Sequence, residues 1–108
     1  MTDCIFCKIA HGEIPSRKVY EDEEVIAFHD IKPAAKVHIL LVPKRHIPSL
    51  LEATADDQAL LGRLLLLVPQ LARELGLGDG FKTSINTGRA GGQEVFHLHI
   101  HVYGGGKA

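Results

Sequence analysis

Close to the C-terminal end the chain reads "VFHLHIHVY" (residues 95–103), a stretch in which three of the seven histidines alternate with aliphatic residues. Successive side chains of a β-strand point to opposite faces, so His97, His99 and His101 share one face and Leu98, Ile100 and Val102 the other. The aliphatic face anchors the strand in a core. Neighbouring imidazoles are then about 7 Å apart along the strand, too far to bond each other but close enough to surround one phosphate-sized anion. Two other readings of the face stay open. Solvent-facing polar residues would normally include Thr, Lys, Glu and Arg as well, and three histidines at this spacing could also ligate a metal.

The residues upstream supply what such a strand packs against. "VIAFHD" (25–30), "VHILLV" (37–42), "GFKTSIN" (80–86) and "EVFHLHIHVY" (94–103) read as strands, with Pro43 closing the second and a Gly-rich loop, "TGRAGGQ", before the last. Residues 4–10 read as a short helix stopped at Gly12. From about Asp56 to Leu75, Leu60, Leu64, Leu67, Leu71 and Leu75 recur at helical spacing, with Thr54 and Asp57 spaced as a capping box and Gly76 as the stop. This predicts a helix of about five turns, perturbed at Pro69 by the missing N–H. Leu65, Leu66 and Val68 widen its apolar stripe, which indicates either a subunit contact or a fully buried helix. Strands on both sides of one long helix predict an α+β fold, an antiparallel sheet with the helix on one face.

A chain of 108 residues with 45% hydrophobic content suits one domain spanning residues 1–108. Twelve Lys and Arg against thirteen Asp and Glu leave no broad basic field for nucleic acid or acidic lipid, so a bound anion needs a local site. "MTDCIFCKIA" lacks the pattern of a secretory signal, and the apolar run "LLLLV" at 64–68 is far short of the roughly 20 residues of a membrane span. The expectation is a soluble cytoplasmic protein that engages neither membrane nor nucleic acid. The two cysteines, spaced Cys4-x-x-Cys7, suggest metal or redox chemistry in a reducing compartment.

"CIFCKIAHGEIPSRKVYEDEEVIAFHDI", "HILLVPKRHI" and "INTGRAGGQEVFHLHIHVYGG" occur in order, and together they resemble the histidine triad (HIT) superfamily, in its Hint-like nucleotide-binding branch. The resemblance implies a five-stranded antiparallel sheet with one long helix and a short N-terminal helix, joined to a second copy's sheet in a homodimer. It implies a site for purine nucleoside monophosphate derivatives and hydrolysis of purine nucleoside phosphoramidates, AMP or GMP adducts, through a nucleotidyl-histidine. A dinucleoside polyphosphate hydrolase or nucleotidylyl transferase, and a nucleotide-binding or protein-interaction module with incidental catalysis, are the competing functions.

By the same resemblance His99 is the nucleophile, and a neutral imidazole suits that role if its other nitrogen keeps a proton on a neighbouring acceptor. His101 would donate to phosphoryl oxygens, and His38 would support the triad from the adjacent strand. Asn86, Gly92 and Val95 match phosphate-contacting positions, Asp30 the carboxylate that takes the ribose hydroxyls, and Ile5, Phe6, Ile9, Phe28, Ile31 and Leu40 the walls around the base. His29 is either a rim contact or simply exposed. No acidic cluster of the kind that holds a catalytic metal stands beside the triad. "CIFC" resembles a variant of many bacterial members in which Cys4, Cys7, His46 and His97 bind a structural zinc; two reduced cysteines or a redox pair are the other readings. Glu94, grouped with the nucleotide-contacting residues, stands where the phosphoramidase branch has a serine able to donate to the leaving nitrogen. A carboxylate cannot donate, which leaves the leaving group open. Lys107 and Ala108 follow Gly106 without the longer Trp-containing tail of some members, so recognition on the leaving-group side is left open too.

Overall fold

The computed structural model describes residues 4–106; the tail residues Lys107 and Ala108 and residues 1–3 lie outside the described residues. A short helix, α1 (Ile5–Ala10), precedes three strands, β1 (Lys18–Glu21), β2 (Val25–His29) and β3 (Val37–Pro43). The long helix α2 (Gln58–Glu74) follows, then β4 (Lys82–Ser84) and β5 (Ile100–Gly104). The five strands form one antiparallel sheet in the order β1-β2-β3-β5-β4.

Both faces of the central strands are covered, which is why β2 and β3 read as continuous apolar runs rather than alternating ones. Val25, Ala27, Ile39 and Leu41 pack with Ile100 and Val102 against Leu60, Leu64, Leu67, Val68 and Leu71 of α2. Ile26, Phe28, Leu40 and Val42 face the other way and pack with Phe6 and Ala10 of α1. One layer is thus a conventional core, and the other is the floor on which the site is built.

The ends of α2 follow the expected chemistry with one adjustment. Thr54 and Asp57 do form a capping box, but it closes a 3₁₀ turn, Ala55–Asp57, from which α2 continues at Gln58. At the other end Gly76, with φ +85°, lets the Leu77 N–H reach the Ala72 carbonyl at 2.8 Å, a left-handed stop that a side chain would strain. Pro69 sits inside the helix without ending it. The carbonyl it leaves unpaired belongs to Leu65, a residue 53% exposed. Leu66 is 76% exposed, whereas Val68, grouped with these two above, is buried. The fully buried reading of the helix therefore fails at Leu65 and Leu66.

Two strands are shorter than expected. The stretch 94–103 enters the sheet only at Ile100, because β3 ends at a proline with no N–H to give and the Leu98 N–H bonds to the Ile47 carbonyl at 2.7 Å instead. The stretch 80–86 pairs only over Lys82–Ser84, since the Gly80 N–H closes a turn onto Leu77. β1 leaves no pattern in the sequence. It is a four-residue edge strand with a register irregularity between Lys18 and Tyr20, and it offers little alternation to detect.

Candidate active site and metal centre

The departure of residues 95–99 from the ladder separates the three triad imidazoles into two jobs. The His97 ring is fully buried and turns away from the other two, toward the start of α1. Its Nδ1 lies 3.2 Å from Cys4 Sγ, 3.5 Å from Cys7 Sγ and 3.2 Å from His46 Nδ1, and Cys7 Sγ lies 3.3 Å from His46 Nδ1. The four donor atoms all fall within 4.8 Å of one another. A tetrahedral zinc bound at the usual Zn–N and Zn–S lengths separates its ligand atoms by about 3.3–3.8 Å, so the observed spacings lie close to those of a closed Cys₂His₂ set. The His97 Nε2–H donates to the Pro43 carbonyl at 2.6 Å, which leaves Nδ1 unprotonated for a metal. The Cys7 N–H points at Cys4 Sγ from 3.3 Å. Donor chemistry, tautomer and spacing therefore fit a metal. In the metal-free protein burial, helped by Cys4, pushes the Cys7 thiol up to about 11. Burial likewise pulls His97 down to about 4, against its bond to Pro43 and with His46 and His99 adding to the fall.

The other two triad imidazoles line a cleft of about 940 Å³ on the α1 side of the sheet. All the residues assigned above to nucleotide contacts border it: Ile5, Phe6, Ile9, Phe28, Asp30, Ile31, Leu40, Asn86, Gly92, Glu94 and Val95, together with His38, His99 and His101. His29, half-buried, borders it as well, and burial followed by the charge of Arg17 lowers its pKa. A shallower groove, along α2 past Ala59, Gly62 and Leu66, contains no imidazole or thiol and stands apart from this chemistry.

His99 is buried, and its Nδ1–H donates to the carbonyl of His97 at 2.7 Å. The proton is held there, so the lone pair belongs to Nε2, the tautomer that a nucleophilic imidazole needs. Phe6 packs edge-on against this ring with centroids 5.0 Å apart, and against Phe28 at 5.6 Å. The ring centroids of His99 and His101 are 5.0 Å apart, closer than the strand spacing of about 7 Å expected above. The reason is the same: His99 lies outside the regular ladder.

His101 is tied to β3. The Ala34 N–H donates to His38 Nδ1 at 2.9 Å, which fixes the proton of His38 on Nε2, and that nitrogen lies 2.9 Å from His101 Nδ1. While His38 donates along this chain, the proton of His101 sits on Nε2. Burial lowers the pKa of His101, with His99 and His38 adding to the fall and Asp30 opposing it. Asp30 Oδ2 stands 3.4 Å from His38 Nε2, and Asp30, His38 and His101 form a second group of close donor atoms. This group reads as a hydrogen-bond relay rather than a metal site. A metal on His38 Nε2 would drive the ring proton to Nδ1, directly against the Ala34 N–H.

One shaping residue, Gln93, escaped the sequence reading. It is buried, accepts from the Gly88 N–H at 2.8 Å and donates to the carbonyls of Pro48 at 2.7 Å and Val95 at 3.0 Å. These three bonds clamp the Gly-rich loop beside the cleft. Gly92 in that loop has φ +84°, and a Cβ there would meet Asn86 Nδ2 at 4.0 Å, so the conformation rather than crowding calls for glycine. A polar residue between Gly92 and Glu94 carries no periodic signal that would single it out.

A helix-backed antiparallel sheet whose open face presents paired imidazoles beside an apolar cleft defines a histidine-triad protein. The chain belongs to the HIT domain family, whose model matches residues 11–108. It is 60% identical over 104 residues to Protein HitA of Neisseria gonorrhoeae, covering 96% of this chain and 97% of that one. Among solved structures it is similar to a HIT family hydrolase from Legionella pneumophila Philadelphia 1, at 44% identity and TM-score 0.93, covering 95% of this chain and 93% of that one. It is also similar to a histidine triad nucleotide-binding protein from Candida albicans, at 37% identity and TM-score 0.84, covering 93% of this chain and 73% of that one.

Proposed function

We propose that this protein is a hydrolase of purine nucleoside phosphoramidates that works through a nucleotidyl intermediate on His99. The observation that carries the reading is the bond from His99 Nδ1–H to the His97 carbonyl, which leaves Nε2 as a free nucleophile in a cleft with apolar walls. His99 Nε2 attacks the α-phosphorus, and the P–N bond breaks with its electron pair leaving on nitrogen. His101, with its proton on Nε2, donates to a phosphoryl oxygen as charge builds there. Water then attacks the nucleotidyl-histidine and returns the electron pair to His99. The water gives up one proton and the amine takes one up, so the protein ends each cycle in its starting state. Asp30 receives the ribose hydroxyls, Phe28, Ile31 and Leu40 hold the purine, and Asn86 and the Gly92 and Val95 amides approach the phosphate.

Cys4, Cys7, His46 and His97 hold a structural zinc in this reading. Bound there, the metal contributes folding free energy and, with four protein ligands, leaves no place for a reactive water. A homodimer covers Leu65 and Leu66 of α2 and extends the sheet from an edge strand. The protein acts in the cytoplasm as one domain, residues 1–108. Glu94 on the cleft supports a second reading, a dinucleoside polyphosphate hydrolase or nucleotidylyl transferase, because a carboxylate gives no proton to a leaving nitrogen.

A panel of adenosine phosphoramidate, diadenosine polyphosphate and AMP separates these functions. Turnover of the first supports the proposal and turnover of the second alone replaces it with the second reading. Binding of AMP with no useful turnover of either leaves a binding module. Intact-protein mass spectrometry after rapid quench should show the nucleotidyl adduct on wild type.

A further inference from the structure

We propose that Asp30 is a positioning residue that acts through His38 on His101, so that a ribose hydroxyl bound at Asp30 sets the His101 tautomer needed at the phosphate. The inference rests on the nucleotide reading above and adds a link between the sugar and the reacting end of the cleft.

The geometry sets two acceptors beside one N–H. Asp30 sits at the end of β2 with its backbone N–H on the His38 carbonyl at 2.9 Å, and its Oδ1 accepts the Lys32 N–H at 2.9 Å. Its other oxygen, Oδ2, is the one that faces His38 Nε2, at 3.4 Å. The Ala34 N–H keeps the His38 proton on Nε2, so this single N–H is bonded to His101 Nδ1 at 2.9 Å, with Asp30 Oδ2 at 3.4 Å as a neighbouring acceptor to which the ring can turn. A carboxylate is a stronger acceptor than an imidazole, while the imidazole is nearer.

Without a sugar, Asp30 competes for the His38 N–H. Whenever that N–H turns to Asp30, His101 Nδ1 loses its donor, and the ring is free to hold its proton on either nitrogen. Only the form protonated on Nε2 offers a donor at the nitrogen that the relay does not use. A ribose hydroxyl donating to Oδ2 satisfies the carboxylate and releases the His38 N–H to His101 Nδ1. The Nε2-protonated form of His101 then dominates. Recognition of the sugar thereby raises the competent fraction of the phosphate-contacting residue, an effect on kcat rather than on affinity alone.

The test uses full-chain protein with its metal, labelled with ¹⁵N in the histidine rings, in the presence of saturating AMP or 2′,3′-dideoxy-AMP. Two-bond ¹H–¹⁵N spectra distinguish the tautomers. His101 should be in the Nε2-protonated form with AMP and a mixture with the dideoxy nucleotide, and Asp30→Asn should abolish the difference. With the matching phosphoramidates, loss of both hydroxyls should lower kcat by up to about tenfold at saturation, the rate equivalent of one neutral hydrogen bond. The same His101 tautomer with both nucleotides, or a dideoxy substrate that raises KM and leaves kcat unchanged, overturns the inference while the hydrolase reading stands. A tautomer response in a protein that turns over neither phosphoramidate sinks the hydrolase reading and keeps this one. Failure of AMP to bind overturns both.

Discussion

His97 serves two neighbours with two different parts of one residue. Its ring nitrogens face the Cys/His cluster and the Pro43 carbonyl, and its own carbonyl holds the His99 proton. The side-chain half of this was legible, since the CxxC spacing and the histidine repeat are both patterns of residue type. The backbone half was not, because a carbonyl acceptor has no signature in the sequence, and neither does the Ala34 N–H that orients His38. Gln93 is hidden for a related reason: its partners, Pro48, Gly88 and Val95, are all backbone groups. Gln93→Ala strands buried backbone groups of the loop, and it should cost about 1–3 kcal/mol of stability, read from denaturant midpoints, with a raised KM as the loop loosens. His99→Ala should fold and bind AMP as wild type does yet lose at least about a thousandfold in turnover, the scale seen when a covalent nucleophile is removed. Near-normal hydrolysis by the folded variant would reject the nucleophile assignment.

At the scale of elements, helical spacing located α2 to within about two residues, and apolar runs located β2 and β3, because each carries enough burial to leave a repeating signal. β1 is an edge strand of four residues, too short for a pattern; β4 is legible as a strand but pairs over only three residues of the stretch, and the entry of β5 at Ile100 depends on what Pro43 cannot donate. The exposed leucines of α2 give this scale its prediction. Leu66→Glu places a charge on a side chain that is 76% exposed and so costs the lone chain little. Sedimentation at micromolar concentration should report twice the chain mass for wild type and one chain mass for the variant. A wild-type monomer would leave Leu65 and Leu66 without a role, and a dimeric Leu66→Glu protein would move the contact elsewhere.

Over the whole molecule, the Cys/His cluster joins α1 to the segment after β3 and to the segment that leads into β5, so metal content and stability should move together. Purified protein should carry about one zinc per chain, and Cys7→Ser should lower both metal content and thermal midpoint while leaving most of the rate of folded molecules intact. A metal-free protein of undiminished stability would remove the site. Once the metal is stripped by chelator, His97 contributes the largest part of the pH dependence below 6.5, with the lowered His29 and His101 acting in the same direction. The unfolded chain binds its proton near 6.5 and the folded chain only near 4, so in that window the unfolded state holds more protons and stability rises with pH. The His97 contribution, about 3 kcal/mol, is complete above the unfolded value and disappears as pH falls through 4. Urea titrations of stripped protein across that range should follow this slope, and a flat profile would mean that His97 is not held neutral.

The proposed reaction consists of two successive displacements at phosphorus, the first by His99 and the second by water. Each in-line displacement inverts the phosphorus centre, so two restore it. The direct measurement is the stereochemical course of hydrolysis of a nucleoside phosphoramidate made chiral at phosphorus with sulfur, run in ¹⁸O-water. Net retention of configuration is the predicted result. Net inversion would mean a single attack by water, and would contradict the nucleotidyl-histidine on which the proposed function rests.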